Sequence, residues 1–310
     1  MMGGTYGRTV HVLCGKGNNG ADGRVAADVL RQRGVRVFVH DAAWAPPAIA
    51  EGHLVIDAAY GTGFRGVWEP PQVGDIPVLA VDIPSGVDAA TGAVSGRVLA
   101  AARTVTFQAL KPGHVLPPGR WLSGEVVVAD IGLDVSAAKA HLVDEAAVQQ
   151  WLPIRPHDAH KWQSAVRMVA GSPGMTGAAA LAARAAMRAG AGMLHLSAVG
   201  ALVVDAPVEV VQKPLSSGQW AAPLVQSARR FHSFVIGPGI GRDDATAEQA
   251  RQAIVDMPLP AVIDGDGLFA LAWSAHGAAA LLRSRTLPTV LTPHDGEYLT
   301  LAGRAPGADR

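Results

Sequence analysis

The chain carries one cysteine, Cys14, in 310 residues, so an intrachain disulfide has no second partner. Cys14 ends an apolar run, which makes a buried, inert thiol the expectation rather than a nucleophile and fits a reducing compartment. Charge of either sign is not in excess: Lys+Arg and Asp+Glu are both 26. With no local basic run either, the pattern speaks against nucleic acid as a partner. No uninterrupted apolar stretch is long enough to span a bilayer, and Met1–Val10 lacks the charged, apolar and small-residue succession of a signal peptide. A cytoplasmic protein without a membrane partner is expected. What is abundant is apolar content, 49% of residues, enough for one or two full cores and best read as two domains.

Short apolar runs alternate with helical stretches: Val10–Cys14, a helix over Val25–Arg33, then Val35–His40, Leu54–Ala58, Val78–Asp82, Thr104–Gln108 and Glu125–Asp130. This is α/β order. Continuous apolar strands predict a parallel sheet covered on both faces, with ligands at the carboxyl ends of the strands. After Gly132 a polar segment through Trp151–Pro156 reads as a linker. A second α/β series follows: Val166–Ala170, a helix near Thr176–Ala189, Met193–Ala198, Phe234–Ile236, Ala261–Asp264 and Thr289–Thr292.

The polar residues fall at the strand ends. In Val12–Gly23, Gly15, Gly17 and Gly20 satisfy G-x-G-x-x-G, where missing side chains let backbone amides approach a pyrophosphate. Asp41 follows at the spacing of a ribose-binding acid, so an NAD(P)-dependent dehydrogenase is one reading. A plain dinucleotide turn does not need Asn18, Asn19 and Asp22, however. Leu54–Gly66 repeats the logic, with Asp57 at a strand end and a second glycine pattern at Gly61, Gly63 and Gly66, and Asp82 ends another strand before Pro84 and Ser85. The plain alternative for Asp57 and Asp82 is a turn cap. For Lys111 it is a solvated lysine.

These segments, GKGNNGADG, VIDAAYGTG, AVDIPSGVDAATG and ALKPGH, resemble the NAD(P)H-hydrate epimerases, the YjeF N-terminal family, over about residues 10–135. The resemblance implies a Rossmann-like domain. It also implies that Asn18, Asn19, Gly20, Ala21, Asp22, Gly61, Thr62, Gly63, Phe64, Arg65, Gly66, Val67 and Asp82 contact a hydrated nicotinamide nucleotide, NADHX or NADPHX. Asn19, Asp57 and Ser85 would help hold a potassium ion, a hard cation suited to oxygen ligands. Asp82 is the candidate proton shuttle and Lys111 the candidate for electrostatic help. Ala21 stands where the family commonly has glycine, and the family's leading helices are absent from this sequence. A homo-oligomer is expected from the family.

His160–Trp162 and Val169–Ala179 form a second strand, glycine-rich turn and helix start, and Ile236–Gly241, Val262–Leu268 and Leu291–Glu297 continue the series. Together they resemble the ADP-dependent NAD(P)H-hydrate dehydratases, of ribokinase-like fold, which are commonly fused behind the epimerase. The expected organisation is two three-layer α/β domains, 1–145 and 146–310, the second incomplete. The resemblance implies that Ala178, Gly239 and His294 line the hydrated-nucleotide site, with Asp264 and Asp266 nearby and ADP, with magnesium, as cosubstrate. Helix packing is the alternative for Ala178, and a structural role for His294. His157 and His160 have no acid or cysteine to complete a zinc set. The family's Gly-Thr-Gly-Asp motif does not occur before Arg310, so this stretch by itself is expected to be inactive as a dehydratase. A nucleotide-binding module without catalysis is the alternative for the whole, and a small-molecule kinase could share the second domain's fold.

Overall fold

The structure, a computed structural model, describes residues 3–275 and 277–307. The chain divides into two compact units, one ending at Val143 and one spanning Asp144–Pro306.

In the first unit the elements run β1 (Thr9–Cys14), α1 (Asn18–Gln32), β2 (Arg36–Asp41), β3 (Leu54–Ala58), β4 (Val78–Val81), β5 (Arg103–Phe107), α2 (Pro112–Val115), α3 (Gly119–Ser123) and β6 (Glu125–Ala129). The six strands make one parallel sheet in the order β2-β1-β3-β4-β5-β6. Alternate residues of the apolar strands feed two cores: Val10, Val12, Ile56 and Ala58 pack on one face with Ala27 of α1, and Leu13, Val55, Val78 and Trp68 on the other. Cys14 is buried in the α1-side core, and burial pushes its thiol pKa up, as an inert thiol requires. The helix α1 ends at Gly34, whose φ of +78° suits glycine. There the Gly34 amide bonds the Arg31 carbonyl and the Val35 amide the Leu30 carbonyl.

In the second unit come α4 (Glu145–Trp151), β7 (Ala165–Val169), α5 (Thr176–Arg188), β8 (Met193–Ser197), β9 (Val211–Gln212), α6 (Ala221–Gln226), β10 (Ser233–Ile236), α7 (Asp244–Asp256), β11 (Ala261–Ile263), α8 (Asp266–Ala272), α9 (Ala278–Arg283), β12 (Thr289–Leu291) and α10 (Asp295–Ala302). Its sheet is also parallel, in the order β12-β11-β10-β7-β8-β9. Its two cores lie on opposite faces, one holding Val169, Phe234, Ile254 and Leu271, the other Met168, Ala180, Ala183 and Leu196.

Both units are thus α/β, as the strand–helix alternation predicts. One expectation needs correcting: the segment read as a linker contains α4, whose first turn is closed by Asp144 accepting a hydrogen bond from the Ala147 amide at 2.8 Å. A carboxylate placed before Glu-Ala-Ala is a helix-start signal, and it outweighs the polar composition around it. No helix among the described residues is long and apolar enough to cross a membrane.

Candidate functional site

In the first sheet the chain leaves β1 toward β2 on one side and β3 on the other, so the carboxyl ends of β1 and β3 open a crevice. A cleft of about 970 Å³ lies there. The β1–α1 turn lines it with Asn18, Asn19 and Asp22, the turn after β3 with Tyr60 and Gly61–Arg65, and the ends of β4 and β5 with Asp82 and Lys111. Ile131, Leu133 and Val135 form an apolar wall.

The glycines of the first turn are required by the chain's own backbone. A Cβ on Gly15 would lie 1.9 Å from the Ala59 carbonyl oxygen, and one on Gly20 would lie 1.9 Å from the Gly15 carbonyl oxygen. Gly23 lets α1 sit on the sheet, since its Cβ would come within 2.5 Å of the Ala58 Cβ. Around Gly17 there is open space. The tight packing brings the start of α1 to the cleft, where its first amides have no partner inside the helix.

At the end of β4, Asp82 adopts φ +68°, a left-handed conformation that few non-glycine residues take. The largely buried carboxylate accepts from Lys111 Nζ at 2.8 Å and from Thr106 Oγ1 at 3.1 Å. Lys111 Nζ donates as well to Thr106 Oγ1 at 2.6 Å and to the Phe107 carbonyl at 3.0 Å. Behind them the His114 ring joins the Lys111 amide, 3.0 Å from Nδ1, to the Asp82 carbonyl, 2.8 Å from Nε2. Burial lowers the His114 pKa below the ordinary histidine value.

Asp57 is wholly buried. It accepts from the Ser85 hydroxyl at 2.6 Å, the Ser85 amide at 2.8 Å and the Ala59 amide at 3.3 Å. Burial raises its pKa and these bonds oppose the rise. Ser85 Oγ also accepts from the Tyr60 amide at 2.9 Å, which ties the Tyr60–Gly61 turn to the Asp57 strand. Asn19 is buried beside this turn, with both side-chain polar atoms lacking any partner. A Cβ on Gly61 would lie 3.4 Å from Asn19 Cγ and 3.3 Å from Asp82 Oδ2, so glycine there keeps the amide and the carboxylate close.

Of the residues singled out from sequence, the cleft gathers Asn18, Asn19, Asp22, Gly61, Thr62, Gly63, Phe64, Arg65, Asp82 and Lys111. Gly20, Ala21, Gly66 and Val67 are outside its lining, and so is Asp41, whose carboxylate closes its own turn by accepting from the Ala43 amide at 2.9 Å. The sequence motifs do not mark Tyr60, Thr106 or Gln108 as site residues. Tyr60 stacks on Phe64 at 4.0 Å between centroids, and Gln108 Oε1 accepts from the Ile131 and Leu133 amides, fixing the apolar wall. Thr106 and Gln108 act through partners distant in sequence, so no local pattern marks them, whereas Tyr60 meets Phe64 within its own glycine-rich segment.

In the second sheet the corresponding crevice lies between β7 and β10. Their following loops are stitched together by the Gly171 amide bonding the Pro238 carbonyl at 2.8 Å and Ser172 Oγ bonding the Gly239 carbonyl at 2.8 Å. Gly239 has φ +66° and faces the start of α5, where its Cβ would lie 3.7 Å from that of the exposed Ala178. His294 lines a cleft of about 230 Å³ with Arg242, Phe269, Glu297 and Thr300. It starts α10: Nδ1 accepts from the Gly296 amide at 3.1 Å, while Glu297 accepts from the His294 amide at 2.9 Å. Buried Asp266 accepts from Arg242 Nε at 2.7 Å and the Gly241 amide at 3.0 Å, and Asp264 from Thr292 Oγ1 at 2.7 Å.

Two parallel α/β units, each with glycine-rich turns at its topological switch point and carboxylates at strand ends beside it, define a protein built to bind nucleotide-like ligands. Residues 2–52 and 41–113 match the family model described as YjeF-related protein N-terminus, and 166–310 the model described as NAD(P)H-hydrate dehydratase. The chain is 37% identical over 338 residues to the bifunctional NAD(P)H-hydrate repair enzyme Nnr of Mycobacterium tuberculosis, covering 99% of this chain and 67% of that protein. It is 34% identical to the protein of the same name from Moorella thermoacetica, covering 96% of this chain and 66% of that one. The chain belongs to the family of bifunctional NAD(P)H-hydrate repair enzymes and spans about two thirds of the length of these relatives. A crystal structure of the ADP/ATP-dependent NAD(P)H-hydrate dehydratase from Bacillus subtilis, co-crystallised with ATP and Mg²⁺, is 27% identical over 52% of this chain and 55% of that one, with a TM-score of 0.41.

Proposed function

We propose that the protein repairs hydrated nicotinamide nucleotides, its first unit interconverting the R and S epimers of NADHX and NADPHX. The observation that carries this reading is the Asp82–Lys111 pair, 2.8 Å apart, in a cleft shared with the β1–α1 turn and the turn after β3. The substrate is a hemiaminal, with a hydroxyl on the carbon beside the ring nitrogen. Epimerisation breaks that C–O bond with a proton delivered to the departing oxygen, so that water leaves and the nitrogen lone pair carries the resulting cation. Water then adds to the opposite face and returns the proton. Asp82 shuttles the proton and its carboxylate offsets the cation's charge, while Lys111 holds the carboxylate in place. Tyr60, Phe64 and the Ile131–Val135 wall supply the apolar surface for a planar ring.

The family's potassium ion suits Asn19, Asp57 and Ser85: the three offer oxygen ligands, and Asn19 Oδ1 is buried with no other partner. A bound cation would supply positive charge for the substrate's anionic groups. In the second unit, Ala178, Gly239 and His294 would contact the hydrated nucleotide, with ADP and magnesium serving the dehydration. We further propose a homo-oligomeric, cytoplasmic protein with no nucleic-acid or membrane partner.

The test is incubation with purified R-NADPHX in potassium buffer, with and without ADP, following both epimers and NADPH by chromatography. Conversion of R to S above the spontaneous rate, lost in Asp82→Asn, is the expected result. Nucleotide binding by folded protein without acceleration would reduce the first unit to a binding module. NADPH formation that requires ADP would place the dehydratase in this chain.

A further inference from the structure

We infer that His114 is a positioning residue for the Asp82–Lys111 pair: its neutral imidazole bolts the backbone of the acid to the backbone of the lysine. The inference rests on the reading of this cleft as an epimerase site. His114 is buried, and both of its ring hydrogen bonds go to main chain, neither to the side-chain ends of the pair. An amide N–H can only donate, so the Lys111 amide fixes Nδ1 as the acceptor. A carbonyl can only accept, so the Asp82 oxygen fixes Nε2 as the protonated nitrogen. One tautomer alone makes both bonds, and an imidazolium would lose the first.

The need for such a bolt lies in Asp82. Its φ of +68° is a conformation the residue adopts only where the surroundings impose it. On one side the Asp82 amide is held by the Val105 carbonyl at 2.7 Å, and on the other the His114 ring grips the Asp82 carbonyl at 2.8 Å. The carboxylate is thereby turned toward Lys111 Nζ and Thr106. The same ring caps the first turn of α2, where the amide of Lys111, the residue before Pro112, donates to Nδ1. Opposite ends of the ion pair, residues 82 and 111, are therefore referenced to one rigid ring. A shift of the carboxylate by a fraction of the cleft would leave binding in place and slow proton transfer.

Two substitutions separate the bonds. In His114→Asn the shorter amide oxygen takes the place of Nδ1 and accepts from Lys111, while the bond to the Asp82 carbonyl is lost. In His114→Gln the amide nitrogen reaches the Asp82 carbonyl and the acceptor for Lys111 is lost. The expected result with R-NADPHX is that Asn lowers kcat about 100-fold with the melting temperature near wild type. Gln, which breaks the other half of the bolt, lowers kcat as well, by about 10-fold, and lowers the melting temperature, and KM changes little in both. Wild-type kcat in the Asn variant, or losses of kcat that follow the melting temperature in both variants, would overturn the inference. Long-range proton–nitrogen NMR of the ring at neutral pH gives a readout independent of turnover. Protonated Nε2 with bare Nδ1 is expected, and the other tautomer or an imidazolium would overturn the inference. If wild type binds nucleotide but does not epimerise, the functional reading falls, and the NMR result alone decides whether the bolt exists.

Discussion

Ser85 grips Asp57 at two points, the hydroxyl donating to Oδ1 at 2.6 Å and the amide to Oδ2 at 2.8 Å. The grip matters because Asp57 is wholly buried, and an ionised carboxylate there is tolerable only while its oxygens are bonded. Ser85→Ala should lower stability by about 1.5–3 kcal/mol, since it also strips the Tyr60 amide of its acceptor. Burial raises the Asp57 pKa, so its favourable contribution is complete below the ordinary carboxylate value and declines as pH rises through the raised one. Removing the hydroxyl raises that pKa further. Urea unfolding of both proteins across the acidic range should therefore show the deficit of Ser85→Ala growing as pH increases from about 4.

The first glycine turn offers a sharp contrast. Gly20→Ala puts a Cβ 1.9 Å from the Gly15 carbonyl and should cost more than about 3 kcal/mol or prevent folding. Gly17→Ala enters open space at the N-cap of α1 and should cost about 1 kcal/mol. Thermal melts of the two variants check this, and equal losses would mean that the close approach of Gly15 and Gly20 is not what the turn depends on.

Lys111→Met leaves the Asp82 carboxylate with Thr106 as its remaining side-chain partner. Epimerase kcat should fall by about 10²-fold, and nucleotide affinity should change much less. A variant with normal kcat would remove Lys111 from the chemistry.

His114 supplies a pH dependence of opposite sign to Asp57. Its folded pKa is lowered, by burial first and then helped down by the Lys111 charge, so its contribution is complete above about 6.5 and is lost as pH falls through the lowered value. Wild type should lose melting temperature over that acid window more steeply than His114→Asn, which has no ring to titrate. Parallel curves would contradict the assignment.

Arg167 stands in the middle of the second sheet, buried, with Nε unpartnered and Nη1 donating to the His195 carbonyl at 3.2 Å. Burial brings its pKa down to about 10. Among the described residues no carboxylate pairs with it; beside the His195 carbonyl, its guanidinium lies 5.9 Å from the centre of the Phe231 ring. Arg167→Met should therefore raise stability by about 1–3 kcal/mol in chemical denaturation, because an apolar chain of similar length escapes the cost of burying the charge. A loss instead would show that the carbonyl and ring contacts outweigh that cost.

The sheets were legible because strands buried on both faces, such as Leu54–Ala58, read as unbroken apolar runs. So were the polar strand ends, since Asp57 and Asp82 interrupt those runs at their carboxyl termini. The reason for the glycines was not legible. The spacing of Gly15 and Gly20 reads as room for a phosphate, whereas each first makes room for another stretch of backbone. Nor could the sequence join His114 to Asp82, 32 positions away, because that contact exists only once β4 and β5 lie side by side. Ala178 and His294, drawn together by resemblance, come from different elements, Ala178 in α5 and His294 at the start of α10.

The torsion at Asp82 has a consequence for how this protein can change. At φ +68° the backbone is most comfortable with glycine, a residue with no proton to give. Selection for robustness and selection for chemistry thus pull position 82 in opposite directions, and a lineage released from the reaction would drift toward a sturdier, silent fold.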